Sequence, residues 1–427
     1  MRQLVIQLAR FGDLVQSKRL LLSLLAEPGA KVHLCLDQSL APLAALLYPS
    51  VVLHPVTAHG TALAKLPATE QARALLSANL PAFRELAGLD FQRVYNLNFS
   101  PLNFRVASLF DPAIVRGHVW ENGQESVGQW ARMAMRWSSL RRVGLNIADF
   151  WAWHHPAPVA PGEVNPAAQG RGGGLGVVLA GRESRRSLPP KELAGLVAAL
   201  LDTGIVTGEG AVTLLGSAAE AKAAHQLLRE LPPKRTGQVK NLCGGTDWAG
   251  LRDVVGGLDL MLTPDTGTMH LAAHLGVPVL ATFLASAWCF ETGPYGLGHM
   301  VLQANLDCAP CLESQPCELN VACLKPFGAA RLTRYLATGV AGHLPEGLLD
   351  LDSGLDSLGV TFLPRAGEDA STPVRKRFRA FLARHLGAGG AWDALPVQEF
   401  AERLYSERDW MVPDPESSKS RRGRVVG

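Results

Sequence analysis

The sequence predicts an α/β protein built from two doubly wound, parallel-sheet halves joined by a linker, with a helical extension at the C-terminus. Three observations carry this. Strand-like and helix-like segments alternate from the first residues onward, as a parallel sheet with crossover helices requires. The alternation stops in a proline- and glycine-rich stretch, Pro156 to Gly176, with too little apolar content for a core. It then restarts, and a chain of 427 residues that is 47% hydrophobic is long enough to give each half its own core.

The opening LVIQLARFGDLVQSKRLLLSL reads as a buried strand, a glycine turn at Gly12-Asp13 and a helix, the first βα unit of a doubly wound sheet. Further strands are expected at KVHLCLD, VVLHPV and RVYNLNF, with a helix over ATEQARALLSANLPAFRELAG between the last two. After the linker, GVVLAG and AVTLLG read as strands, followed by helices over PPKELAGLVAALLDTG and SAAEAKAAHQLLREL. LDLMLTP, DTGTMHLAAHLG and VPVLATF then form a βαβ unit. Beyond Gly342 come Gly- and Asp-rich turns, a basic amphipathic segment PVRKRFRAFLARHLG and a last helix around QEFAERLYSERDW. The expected units are residues 1–155, a linker over 156–176, a second domain over 177–341, and an extension over 342–427 with a basic tail.

Composition excludes several functions. The formal charge is +3, but Lys419, Arg421, Arg422 and Arg424 supply four of the positive charges, and subtracting them leaves −1, so the body does not bind nucleic acid by charge. The tail is a solvated end or a contact for anionic lipid. No stretch approaches the roughly 20 apolar residues of a membrane span, and LVIQLA runs straight into Arg10 and Asp13 unlike a signal peptide, so a cytoplasmic protein is expected. Seven cysteines, four of them between Cys308 and Cys323, do not form a secreted disulfide framework.

The strongest local signal is Thr263-Pro264-Asp265-Thr266-Gly267-Thr268-Met269-His270, where a parallel strand ends and a helix begins. The unpaired N–H groups of a first helical turn attract an anion, Gly267 permits close backbone approach, and Thr266 and Thr268 add hydroxyls, so the turn suits a pyrophosphate. The plainer reading is that Asp265 or Thr266 caps the helix.

PDTGTMHLAAHLGVPVLATF, followed by ETGPYG and a cysteine cluster, resembles the signature region of glycosyltransferase family nine, the family of the ADP-heptose:lipopolysaccharide heptosyltransferases. LVIQLARFGDLVQSKRLLLSL is similar to that family's opening strand and Gly-Asp turn, and DFQRVYNLNFSPLNFRVASLF to a later N-domain strand. The resemblance spans roughly residues 1 to 335. It implies a GT-B fold, two Rossmann-like domains facing a cleft, with the donor held by the second domain and the acceptor by the first. It further implies an inverting, metal-independent transfer of heptose or a related sugar from an ADP-sugar to a lipopolysaccharide core or other glycan or glycolipid acceptor.

By the same resemblance Asp13 is the general base on the acceptor hydroxyl, with Gly12 and Asn98 on the acceptor side, and Asp265, Thr266, Gly267, Thr268 and His270 form the diphosphate turn. A carboxylate beside a helix N-terminus should be a weak base unless a dry site raises its pKa, and its plain role is capping. Arg182, Arg185 and Arg186 stand where the family carries a Lys-Arg-Trp-Pro-like run, and are expected at the donor phosphates or in a solvated loop. Ser217 and Glu220 have capping-box spacing, and Glu220 is also a candidate for the ribose. Asn96 and Asn98 lie in a strand where the family often carries Asp or Gln, which points to an altered acceptor.

Cys308, Cys311, Cys317 and Cys323 read C-x2-C-x5-C-x5-C, either a structural zinc or iron staple or a metal-free loop stiffened by Pro310 and Pro316. In the basic segment, Val374, Phe378, Phe381 and Leu382 share one helical face, which either packs on the domain or lies on the inner membrane surface. Two other functions compete with transfer: a GT-B epimerase or hydrolase that turns over donor alone, and a silent nucleotide-sugar-binding module.

Overall fold

The computed structural model describes residues 1–59, 67–140, 142–179, 185–207, 211–312, 315–390, 392 and 395–405. Arg182 and the basic tail of Lys419, Arg421, Arg422 and Arg424 lie outside them.

Two sheets organise the molecule. The first contains β1 (Arg2–Gln7), β2 (Lys31–Asp37), β3 (Val52–Val56), β4 (Arg93–Asn96), β5 (Val115–Glu121) and β6 (Gln124–Val127) in the order β3-β2-β1-β4-β5-β6. The second contains β7 (Leu175–Val178), β8 (Val212–Leu215), β9 (Val239–Asn241), β10 (Leu260–Pro264), β11 (Val279–Phe283), β12 (Met300–Ala304), β13 (Leu348–Leu355) and β14 (Val360–Ala366), ordered β14-β13-β12-β11-β10-β7-β8-β9. Pairing is parallel except at β5–β6, β12–β13 and β13–β14. The central strands are apolar without alternation because helices cover both faces; β10 and β11 are buried at every residue.

Both sheets reverse direction at their first strand. In the first, β1 lies between β2 and β4; in the second, β7 lies between β8 and β10. Beyond the carboxyl ends of such strands the connections leave to opposite faces and open a crevice, the usual place for a ligand in an open α/β sheet. The segments after β1, β4, β7 and β10 all carry residues singled out above.

The linker runs along the second sheet rather than spanning open solvent. The backbone N–H groups of Ala168, Gln169 and Arg171 donate to the carbonyls of Leu297, Gly276 and Leu258, and β7 already begins at Leu175.

The region beyond residue 342 is not a loosely appended helical segment. Its Gly- and Asp-rich turns form β13 and β14, which extend the second sheet. The helix Thr372–Leu386 returns to the first half, where Phe378, Phe381 and Leu382 pack with Met133, Trp137, Val143, Phe400 and Leu404. Of its apolar face, Phe378, Phe381 and Leu382 are thus covered by protein, while Val374 at the start of the helix is exposed. Several of its arginines are paired inside the protein too: Arg375 with Asp369 at 2.8 Å and Arg379 with Asp356 at 2.6 Å, while Arg384 donates to the carbonyls of Trp392 and Leu395. Among the described residues no helix is long and apolar enough to cross a membrane.

Candidate active site

The crevices of the two sheets meet where two short helices touch end to end. Phe11–Gln16 follows β1, Gly267–His274 follows β10, and their N-termini pack together through glycine. A Cβ on Gly12 would lie 3.1 Å from Cδ2 of His270 and 3.4 Å from Cα of Gly267. A Cβ on Gly267 would run into the ring of Phe11. Phe11 also packs edge-on against Trp248, centroids 4.9 Å apart, and Trp248 Nε1 donates to the carbonyl of Ser39 across the same seam. Gly12 and Gly267 are thus first of all residues of domain contact, with the open backbone of the second helix beside it.

Asp13 occupies the third position of its helix and does not cap it in the ordinary way. Its Oδ2 accepts from the backbone N–H of Arg10 at 3.1 Å. Desolvation nonetheless raises its pKa above the usual carboxylate value, outweighing the hydrogen bonds and the nearby Arg10 that pull it down. Asp13 is half-buried, and partial removal from water is the cause of the upward shift.

Across the seam, Thr266 caps the second helix, its Oγ1 accepting from the N–H of Met269 at 3.4 Å and lying 3.2 Å from Thr263 Oγ1. The plain reading thus holds for the Thr266 side chain, which leaves the amides of Gly267 and Thr268 among the first-turn N–H groups with no intrahelical acceptor. Asp265 accepts from Thr292 Oγ1 at 3.2 Å, with Arg186 at 3.8 Å and His270 Nε2 at 3.9 Å. Burial pushes His270 down to about 3, so the imidazole is neutral at physiological pH and its approach to Asp265 is not an ion pair.

Arg186 therefore joins the turn, whereas Arg185 points away from it. Arg185 donates to the carbonyl of Gln315 and to Cys311 Sγ at 3.3 Å, which ties β7's exit to the cysteine loop. Glu220 accepts from the N–H and Oγ of Ser217 at 2.7 and 2.6 Å, a capping arrangement, yet it also borders a cavity of about 120 Å³ with Ser187, Leu188, Thr263 and Pro264. That cavity lies beside the anion turn and is lined largely by apolar side chains, a setting for a flat base. In the first sheet, Asn98 follows β4 and its Oδ1 has no partner, while Asn96 is consumed internally by Asn103 and the carbonyl of His118.

The cysteines do not behave as one unit. Cys308, Cys311, Cys317 and Cys323 all border an open cavity of about 1410 Å³. Yet Cys323 is buried and Cys308 exposed, while Cys311 and Cys317 each accept from an N–H group, of Arg185 and Val321. Among the described residues no three His, Cys, Asp or Glu side chains are arranged to hold a metal ion.

Sequence reasoning passed over Lys18. Burial lowers its ammonium to about 8, its Nζ donates to Asn165 Oδ1 at 2.9 Å, and it lines a small cavity with His270 and Tyr295. Lys18 stands in the polar stretch Gln16-Ser17-Lys18-Arg19, which gave no local signal of its burial.

Comparison with known proteins agrees with this geometry. Residues 192–322, which include β8 to β12 and the anion turn, match the family described as Glycosyltransferase family 9 (heptosyltransferase). Lipopolysaccharide heptosyltransferase 1 of Pseudomonas aeruginosa is 42% identical over 65 residues, a stretch covering 15% of this chain and only 18% of that relative. The E. coli heptosyltransferase WaaC with ADP superposes with a TM-score of 0.50 at 16% identity, over 70% of this chain and 92% of its own. The E. coli ADP-heptose lps heptosyltransferase II gives 0.47 at 18% identity, over 70% and 90%. Residues 192–322 thus resemble glycosyltransferase family 9 (heptosyltransferase), the two-sheet architecture is the GT-B fold, and the turn at Thr266-Gly267 lies inside the matched segment.

Proposed function

We propose that this chain is an inverting glycosyltransferase that moves a heptose or related sugar from an ADP-sugar to a hydroxyl of a lipopolysaccharide core or similar surface-glycan acceptor. The observation that carries the proposal is the packing of the turn before Asp13, through Phe11 and Gly12, against the first turn of Gly267–His274 at the seam between the two sheets.

In the reaction the acceptor oxygen forms a bond to the anomeric carbon while the bond from that carbon to the diphosphate breaks. The acceptor proton passes to Asp13, and the two electrons of the broken bond leave with ADP. The amides of Gly267 and Thr268 and the guanidinium of Arg186 receive the growing charge, an interaction stronger in the transition state than in the donor. Neutral His270 keeps Asp265 available for the sugar hydroxyls. The cavity bordered by Glu220 and Leu188 takes the adenine. The reading puts the work on the cytoplasmic side, and the chemistry itself uses no metal.

The test is ADP release from ADP-heptose by the purified chain, with and without a truncated lipopolysaccharide extract. Release that requires the extract supports transfer. Release without it makes the chain a hydrolase or epimerase, and no release with retained ADP binding makes it a binding module.

Two outcomes follow for the same assay. Acceptor-dependent release is expected to persist in excess EDTA, and its loss there would show a metal in the chemistry. Arg186→Ala is expected to raise the donor KM about tenfold, since one charge-assisted contact to a phosphate is worth roughly 1.5 kcal/mol; an unchanged KM would return Arg186 to the solvated loop.

A further inference from the structure

We propose that Phe99 is the acceptor platform of this site, a ring on which a sugar ring of the acceptor stacks, with Asn98 and His118 taking its hydroxyls. This rests on the transferase reading and adds the acceptor's chemical class and the residue that selects it.

Phe99 is 77% exposed, an unusual position for a phenylalanine in a chain this size. It sits three residues after the end of β4, and β4 pairs with β1 in parallel register, Asn96 beside Ile6, so Phe99 and Asp13 leave the same edge of the sheet at its switch point. The proposed base and the exposed ring therefore flank one crevice. The neighbours of Phe99 are not those of an apolar docking patch. Its ring lies 5.9 Å from that of His118, and Asn98 Oδ1 and His118 Nδ1 are covered without a hydrogen-bond partner. Burial lowers His118 to about 4, so the neutral ring offers one donor and one acceptor.

An apolar face beside unsatisfied amide and imidazole atoms is complementary to a pyranose, which has a C–H face and a hydroxyl rim. A hydrocarbon ligand would leave the polar atoms unpaired at a penalty, and a purely anionic ligand would gain nothing from the ring. Asn98 Oδ1 and His118 Nδ1 are covered in the free chain, so the proposal includes a local side-chain rearrangement on binding that opens them to the sugar hydroxyls.

Two measurements test this separately from the reaction. The probe is a delipidated, truncated lipopolysaccharide core oligosaccharide, whose binding to the full chain in the presence of ADP is followed by saturation-transfer NMR, and whose KM is read from ADP release. Phe99→Ala is expected to weaken oligosaccharide binding and raise its KM about tenfold, with the ADP Kd and the melting temperature unchanged, and Phe99→Trp is expected to restore both. No binding by the native chain, an unchanged oligosaccharide affinity in Phe99→Ala, or parallel loss of ADP binding and thermal stability would each overturn the proposal. Phe99-dependent binding by a chain that never transfers would uphold the platform and remove the transferase reading.

Discussion

Asp13→Asn is expected to lower acceptor-dependent ADP release by about 10²–10⁴-fold, the range for removing a general base, while leaving the ADP Kd within about twofold. The same substitution is expected to raise the melting temperature at pH 7. Burial lifts the folded-state pKa of Asp13 above its unfolded value, so its contribution to stability is fully present below the unfolded pKa and is lost as pH rises through the folded one. At neutral pH the native chain therefore holds an ionised carboxylate that the fold disfavours, and asparagine removes that charge while keeping an acceptor for the N–H of Arg10. The acid limb of kcat/KM should for the same reason lie above the ordinary carboxylate range. An Asp13→Asn protein that turns over normally, or that melts earlier, would place the base elsewhere and make Asp13 a simple helix-start residue.

Asp149→Ala is expected to have the largest effect on stability, a loss of about 3–5 kcal/mol, because it leaves a buried guanidinium without its counter-charge. Arg19 and Asp149 are 1% and 0% exposed at their side chains and lie 2.6 Å apart. Arg19 belongs to the helix Lys18–Leu25 directly behind Asp13, and it also donates to the carbonyls of Val159 and Leu358. Asp149 accepts from Tyr295 Oη at 2.6 Å and from the N–H of Val360 at 2.9 Å. Four distant parts of the chain thus converge on one ion pair: the first domain, the linker, the segment before β12, and the β13–β14 hairpin. Gly359 is required there, since it has φ +150° and a Cβ would occupy the place of the Asp149 carboxylate. Urea unfolding is the measurement. A double replacement by apolar residues, Arg19→Met with Asp149→Leu, should recover part of the loss, whereas equal loss in single and double variants would show that packing and not charge governs the site.

Much of the architecture was legible in the sequence. The apolar runs of β1, β2, β10 and β11 are buried on both faces and needed no tertiary information to read, and the helix from Ala68 to Ala87 was readable despite Pro81. The β5–β6 hairpin was missed although Asn122-Gly123, both at positive φ, carries the two-residue turn signal. β5 alternates in burial, but a glycine at the inward position Gly117 and a tryptophan at the half-buried Trp120 blur that alternation in the sequence, and the edge strand β6 has no buried residue. The β13–β14 pair was read as turns for a related reason: Asp350 and Asp352 break the apolar run, and Asp350 is tolerable only because Arg365 and Tyr335 meet it.

At the site, local spacing was enough to mark the helix start at Thr266-Gly267 and the turn at Gly12-Asp13, since both depend on residues close in sequence. Only the tertiary structure decided that the two turns touch, that Phe11 lies against Gly267, and that desolvation rather than the helix start controls Asp13. It likewise directed Arg186 to Asp265 and Arg185 to the cysteine loop, although the two are neighbours in one turn. The basic helix Thr372–Leu386 is the same lesson in reverse, its amphipathic pattern being equally suited to a membrane or to a protein face. Periodicity records which side of an element is apolar; what lies against that side is set by contacts between residues hundreds of positions apart, and those exist only once the chain has folded.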